Sequence, residues 1–362
     1  MNYVIYGACD IGKRAEESLK NNYGIEILGY MDTYKTGVFH QHRILDIDEV
    51  DREVYVIVTV LNPHNTVAIC RLLKKKGFRN LYWFYDMNQK LSERKDFLSE
   101  ECFKMVSVEE GLLVHGEFHI SDKCNLNCRG CTHFSPLFDS IGMDFESRIN
   151  DLREVKRIFY NVFRLDILGG EPLLNDELDR YVVTIREMFP NSFIQIYTNG
   201  LLIPNLSDRV MQTIHDENVA FSISEYLPTH KMIDRIKERL NEFGIRFRIA
   251  EYEKKQVFNR PISTNSHSKH EQLCISDGCI TIADGKIARC PTLMYVGKFN
   301  EVFHKNLPTE GIFKLSEWTG EAEELIHNLE MEIPLCKHCV KNDMEWSVCG
   351  KEKKFEDFAT ED

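Results

Sequence analysis

The chain has 362 residues, and at roughly 100–200 residues per domain that length predicts two or three domains able to bury cores without disulfide staples. Hydrophobic residues make up 43% and charged residues 28%, with Lys+Arg 45 against Asp+Glu 57 and a net charge of −12; this excludes global disorder and argues against phosphate-driven nucleic-acid binding. No apolar run approaches the ~18 residues of a membrane span, and the opening Met1-Asn2-Tyr3-Val4-Ile5-Tyr6-Gly7 has neither a basic n-region nor an apolar h-region, so the expected location is the cytoplasm.

Residues 1–86 read as a small α/β unit with a parallel sheet: strands at 3–6, 25–31, 54–60 and 80–84 alternate with helices at 13–22 and 65–76. Residues 87–112 are charged and without a strong period, and read as a linker containing a short helix. A second α/β series occupies 113–252, with strands at 114–121, 165–168, 193–197, 219–224 and 245–252 and helices at 148–162, 176–188, 206–216 and 231–243. That is too few repeats for a closed eight-fold barrel, so an open partial barrel is expected, with functional residues at the C-terminal ends of its strands. Residues 253–350 read as a cysteine-rich extension of short strands and turns, including a hairpin over 280–287 with Asp284-Gly285 in its turn. Residues 351–362 read as a frayed, charged tail.

Twelve cysteines are the outlier. In a chain expected in the cytoplasm they point to metal or redox chemistry rather than disulfides. Cys9, Cys70 and Cys102 are scattered and read as small hydrophobes. Cys124, Cys128 and Cys131 form a C-x3-C-x2-C run after a strand. Structural zinc sites usually join two C-x2-C pairs; here His133 is the nearest fourth ligand, at a cramped spacing. Three thiolates on a four-iron cluster leave one iron open to a chelating substrate.

With Gly169-Gly170-Glu171-Pro172 at the end of the next strand and Thr198-Asn199-Gly200 at the end of a third, this run resembles the radical S-adenosylmethionine superfamily over about residues 114–252. The resemblance implies a partial (β/α)6 barrel and a [4Fe–4S] cluster on Cys124, Cys128 and Cys131. It further implies S-adenosylmethionine bound at the open iron and cleaved by one electron to a 5′-deoxyadenosyl radical that abstracts a substrate hydrogen. Gly169 and Gly170 would admit the methionyl amine, Glu171 would hold it or cap the next helix, and Pro172, Thr198 and Asn199 complete the motifs. Ser222 and Glu225 are candidates for the ribose or carboxylate, with Glu225 equally readable as a rim carboxylate. Phe134 is a candidate for adenine stacking, with core packing as the alternative.

Cys274, Gly285 and Cys290, followed by Cys336 and Cys339, resemble the auxiliary-cluster extension of the same superfamily, of the SPASM or shorter Twitch type. The resemblance implies a second [4Fe–4S] cluster on Cys274, Cys290, Cys336 and Cys339, with a zinc knuckle as the plainer reading. Cys279 and Cys349 read either as substitute ligands or as free thiols able to donate a hydrogen atom. The N-terminal Gly7-x4-Gly12 with Asp32 looks like a dinucleotide fingerprint whose middle glycine is replaced by Cys9, so tight NAD binding is not expected. The unit resembles the small Rossmann-like domain of polysaccharide-biosynthesis proteins.

The expected activity is therefore that of a radical S-adenosylmethionine oxidoreductase or epimerase. Its expected substrate is a carbohydrate or nucleotide-activated sugar, and its electron donor is a flavodoxin- or ferredoxin-type protein. The alternatives are a peptide-modifying relative and, outside enzymes, an iron- or zinc-binding interaction protein.

Overall fold

The apolar, partly β-branched runs near the N-terminus form strands buried on both faces, the pattern of a parallel sheet covered by helices. The computed structural model describes residues 1–85, 103–250, 257–266 and 278–361, and the chain divides into two units, Met1–Glu110 and Gly111–Asp362. The first unit runs β1 (Tyr3–Tyr6), α1 (Asp10–Tyr23), β2 (Ile27–Met31), the short hairpin β3 (Val38–Phe39) and β4 (His42–Arg43), β5 (Tyr55–Val58), α2 (Pro63–Lys75), β6 (Asn80–Phe84) and β7 (Phe103–Met105). Its main sheet has the order β2-β1-β5-β6-β7, parallel except for β7.

Strand β7 falls in the stretch expected to be linker. Phe103, 1% exposed, anchors it against Phe84 at 5.2 Å and Tyr23 at 6.0 Å; a strand of three residues is too short to show a period. The short helix expected in the same stretch has no counterpart in the described part, and residues 86–102 lie outside it. Asp32 accepts hydrogen bonds from Ala8 N (2.9 Å), Tyr34 N (2.9 Å) and Lys35 N (3.1 Å). The carboxylate that a dinucleotide fingerprint reserves for ribose thus holds the loops together.

The second unit continues with β8 (Leu112–Ser121), α3 (Phe145–Ile158), β9 (Asn161–Gly169), α4 (Leu178–Met188), β10 (Phe193–Thr198), α5 (Asp208–Asp216), β11 (Ala220–Ser224), α6 (Leu227–His230), α7 (Ile233–Glu242) and β12 (Phe247–Ala250). Then come β13 (Val257–Ser263), β14 (Ile280–Ala283), β15 (Lys286–Ala288), α8 (Pro291–Phe303), β16 (Ile312–Lys314), α9 (Ala322–Glu330), β17 (Cys339–Glu345) and β18 (Ala359–Thr360). Its large sheet has the order β12-β11-β10-β9-β8-β14-β15-β16. Strands β8 to β12 are mutually parallel, and β14 adds a sixth parallel strand on the free side of β8. The α/β partial barrel expected from the sequence is the observed architecture.

Helices α3, α8 and α9 differ from expectation; α9, like α8, falls in the stretch expected as short strands and turns. Helix α3 stops at Ile158, because Phe159 is extended and Val162 already pairs with Leu113 in the sheet. Helix α8 occupies a stretch expected as strands and turns. Pro291 sits in its first turn, the Cys290 thiol accepts from Leu293 N at 3.5 Å, and Leu293, Val296 and Phe299 are buried.

The pleat divides the barrel strands into two chemistries. Phe118, Ile120, Leu165, Ile167, Ile194, Ile196, Phe221 and Ile223 belong to one apolar core with residues of the surrounding helices. The alternate positions, including His115, Glu117, His119, Arg164, Asp166 and Gln195, face inward and are polar.

The tail is a correction to the expectation of a frayed end. Strand β18 pairs in parallel with β13, and Phe358, 0% exposed, packs against Phe134 and Phe303, each at 5.9 Å. Lysines and glutamates mask one buried aromatic there. Phe358→Ala should therefore cost about 3–5 kcal/mol of stability, read as a lower midpoint in urea unfolding, where a frayed tail would show no change.

Candidate active site

The cysteine run lies in a long excursion between the end of β8 and the start of α3, and this excursion is tied at its base. Asp122 N donates to Ile141 O at 3.2 Å. Arg148, 0% exposed, donates to His119 O (2.7 Å), Ile141 O (2.9 Å) and Met143 O (3.3 Å), and pairs with Asp122 at 3.2 Å. Gly142, at φ 90°, is required here: a Cβ would come within 2.1 Å of Asp122 Oδ2 and 2.2 Å of Arg148 Nη2.

The C-terminal segment straps the other side of the run. Arg129 N donates to Ser347 O (2.9 Å), Cys349 N to Asn127 O (2.8 Å) and Gly130 N to Asp357 O (2.6 Å), and Arg129 Nε meets Asp357 Oδ1 at 2.7 Å. Trp346 donates its indole N–H to Cys128 Sγ at 3.2 Å and stacks on Tyr226 with centroids 5.4 Å apart.

Cys124, Cys128 and Cys131 line one cavity of about 390 Å³ together with Gly169, Gly170, Thr198 and Asn199. The two glycines let the end of β9 pass against the cysteine loop: a Cβ would come within 2.0 Å of Ser121 O at Gly169 and 2.4 Å of Lys123 O at Gly170. Asn199 donates its amide to Asn125 Oδ1 at 2.7 Å, tying the β10 loop to the cysteine run. Burial pushes the Cys124 thiol up to about 12 and moves Cys128 and Cys131 in the same direction, so metal loading must displace thiol protons.

Several expected residues sit elsewhere. Glu171, 1% exposed, is a strut outside the cavity wall: its carboxylate accepts from Thr198 Oγ1 (2.6 Å), Asn199 N (2.9 Å) and Leu173 N (3.1 Å). Burial pushes its pKa up to about 7 against the pull of these donors. Pro172 is buried in the first turn of the short helix that follows. Phe134 does not face the cavity; its backbone turns at φ 51° and its ring packs on Phe299 at 5.3 Å in the C-terminal core. Ser222 lies deeper than the cavity wall, and Glu225 is bonded to His230 Nδ1 at 2.7 Å. Ser224 and Tyr226 take their places in the wall. Tyr226 and Trp346 were missed because nothing in their local sequence marks them.

Of the second cysteine set, Cys290 caps α8, Cys336 lies in the turn Pro334–His338 and Cys339 opens β17. Cys290 and Cys336 pack against one apolar cluster. Cys274 lies outside the described residues. Cys279 sits beside Glu117, and burial followed by that carboxylate pushes its thiol pKa upward. Cys349 is buried beside the first cysteine run, its pKa pushed up to about 11 by burial. Neither Cys279 nor Cys349 is in the cavity wall.

Deeper on the inner face, Asp166 is 0% exposed, receives a two-pronged bond from Arg164 (2.9 and 2.8 Å) and meets His115 Nε2 at 2.8 Å. Burial alone would raise its pKa; Arg164 and His115 outweigh burial and hold it down to about 2.

Residues 118–269 match the family model described as the radical SAM superfamily. These residues are a radical SAM domain. The domain carries the three-cysteine run, and a [4Fe–4S] cluster and S-adenosylmethionine are what it implies. The donor set fits them: three thiols share one cavity with a glycine-lined wall.

Among solved structures the chain is similar to "BtrN in complex with AdoMet and 2-DOIA", at 18% identity over 67% of this chain and 96% of that one, TM-score 0.37. It is similar to a tagged form of anSMEcpe with bound AdoMet, at 20% identity over 38% of this chain and 43% of that one, TM-score 0.31. It is also similar to Streptococcus suis SuiB bound to S-adenosylmethionine, at 21% identity over 40% of this chain and 36% of that one, TM-score 0.33. The chain thus spans less than half the length of anSMEcpe and SuiB. Among the described residues, no helix is long and apolar enough to cross a membrane.

Arg148→Met should cost about 3–5 kcal/mol, because it strands the buried Asp122 carboxylate, and iron loading on the three-cysteine run should fall with it; unfolding midpoints and iron analysis check both. Asp166→Asn should be strongly destabilising at pH 7 for the same reason. Because the folded pKa of Asp166 lies below its unfolded value, the ionised form stabilises the fold above about pH 4, and that stability is lost as pH falls toward 2. The gap between wild type and variant, read by urea unfolding, should narrow over that window.

Proposed function

We propose that the protein is a radical S-adenosylmethionine enzyme that oxidises one C–H position of a small polar substrate, a carbohydrate or nucleotide-activated sugar. The observation that carries the reading is a single cavity walled by Cys124, Cys128, Cys131, Gly169 and Gly170, above an inner barrel face of hydrogen-bonding side chains. When bound, the cluster and S-adenosylmethionine supply a 5′-deoxyadenosyl radical for hydrogen abstraction.

The chain's own residues do the holding. Cys124, Cys128 and Cys131 supply the thiolates, and the Trp346 N–H bonded to Cys128 Sγ offsets charge on that sulfur. Thr198, Asn199, Ser224 and Tyr226 offer the polar wall, and Glu171 holds the Thr198 hydroxyl and the Asn199 backbone N–H from behind. The segment from Trp346 to Asp357 is fastened across the cysteine run by backbone hydrogen bonds. Polar inner-face groups suit hydroxyl-rich substrates, because each can bond a substrate oxygen.

A second [4Fe–4S] cluster on Cys274, Cys290, Cys336 and Cys339 and a flavodoxin- or ferredoxin-type donor belong to the same proposal. Oxidation is favoured over epimerisation because neither Cys279 nor Cys349 lines the cavity to return a hydrogen atom.

Anaerobically reconstituted protein should hold about eight irons, four per cluster, and about four after Cys124, Cys128 and Cys131 are all replaced by Ala. The dithionite-reduced wild type should release 5′-deoxyadenosine from S-adenosylmethionine. Iron near four with one zinc would remove the second cluster from the proposal. Methylthioadenosine as sole product would remove the chemistry, and a product carrying solvent deuterium at the attacked carbon in heavy water would replace oxidation by epimerisation.

A further inference from the structure

Below the cavity, the buried polar atoms that have no hydrogen-bond partner among the described residues include Glu117 Oε2, His119 Nε2 and His133 Nε2. The three side chains can bring one ligand atom each within 4.8 Å of one another. Buried polar groups in folded proteins are nearly always paired, so three side chains this close together, each with an unpaired atom, mark a place for something that pairs them.

They come from two separate elements. Glu117 and His119 are alternate residues of β8 and therefore point to the same side. His133 follows the cysteine run and also lines the cavity. The imidazoles of His119 and His133 lie 4.9 Å apart, and Tyr295 stacks on the outer side of His119 at 5.3 Å.

The far side of His119 is already committed. Its Nδ1 meets Tyr295 Oη at 2.6 Å, and that hydroxyl reaches Asp122 Oδ1 at 3.4 Å. An imidazole held by one nitrogen with the other left bare is the arrangement of a metal-ligating histidine. A neighbouring trio, His115, Glu117 and Cys279, is also compact. There His115 Nε2 is already bonded to Asp166 and Cys279 is bonded to Glu117, so the trio has fewer bare donors than the first.

We propose that Glu117, His119 and His133 form a mononuclear site for a divalent transition-metal ion, separate from the cysteine-held iron. Two imidazoles and one carboxylate suit zinc or ferrous ion and leave positions open, and these face the cavity through His133. The open positions would take a substrate oxygen. The site goes beyond the proposed radical chemistry, and its test involves no turnover.

The test uses full-length protein whose cysteines are first loaded with iron and sulfide. The protein is then dialysed against micromolar zinc chloride and its metals are counted by plasma emission. One zinc per chain beyond the iron is expected. Glu117→Gln, His119→Ala and His133→Ala should each weaken zinc binding at least tenfold with the iron count unchanged. Tyr295→Phe keeps all three ligands and should weaken zinc binding about 10- to 100-fold through the lost support of His119. No retained zinc in the wild type overturns the proposal, whatever the variants do. So does zinc retained unchanged in the His119→Ala and His133→Ala proteins. Loss of 5′-deoxyadenosine formation with zinc binding intact would count against the radical reading and leave this site standing.

Discussion

The buried guanidinium of Arg148 is the contact on which the site depends. The excursion that carries the three cysteines contains no regular element but the short turn Ser135–Leu137 and cannot hold its own shape. Arg148 reaches it from α3 and grips both ends at once, through Asp122 on one side and the carbonyls of Ile141 and Met143 on the other. It also holds the carbonyl of His119, which fixes the end of β8 in the same grip. A buried charge is expensive, and a well-packed hydrophobe in its place is often no less stable. What a hydrophobe cannot do is define the direction of four oxygen atoms, and that direction sets where the cysteines lie.

The second organising constraint is the pleat of the barrel strands. One set of alternate side chains is apolar and packs under the helices; the other is polar and lines the interior. Polar groups inside a barrel must either satisfy one another or wait for a ligand. Asp166, Arg164 and His115 do the former, in a closed set of charge-assisted bonds. Glu117, on the level of Asp166, and His119 and His133, nearer the mouth, each keep one polar atom unpaired among the described residues. The interior thus holds a self-satisfied set beside an unpaired one, and the unpaired one reaches the cavity at His133.

Much of this was legible in the sequence, and the failures have physical reasons. The β/α alternation, the cysteine spacing and the Gly-Gly-Glu-Pro and Thr-Asn-Gly turns place the cavity, because each motif ends a strand of one parallel sheet. The role of Glu171 was not legible, since a carboxylate after two glycines looks the same whether it meets a ligand or three backbone and hydroxyl donors. Ser222, expected at the ribose or carboxylate, shares a face of β11 with Ser224 but is not in the cavity wall; alternation gives the side of a sheet but not how far a pocket descends. Phe134 turns away because its backbone is left-handed, which an ordinary aromatic residue does not announce. Arg148, Trp346 and Tyr226 act across long stretches of chain, and such contacts leave no trace in local spacing.

The strap also connects the two cysteine sets. Cys339 opens β17, and β17 ends at Glu345, one residue before the indole that bonds Cys128. Three residues further, the amide of Cys349 fastens the strap to Asn127 between the first two cysteines of the run. A metal group on Cys336 and Cys339 would therefore anchor one end of the segment whose other end covers the first cysteine run. Pulling on either end is resisted by backbone bonds at Asn127, Arg129 and Gly130 and by the Arg129–Asp357 pair. The strand β18 adds a third hold by pairing with β13, which also pairs with β17. Ordering at one cysteine set is in this way mechanically tied to coverage of the other, through a segment whose charged sequence gives no hint of it.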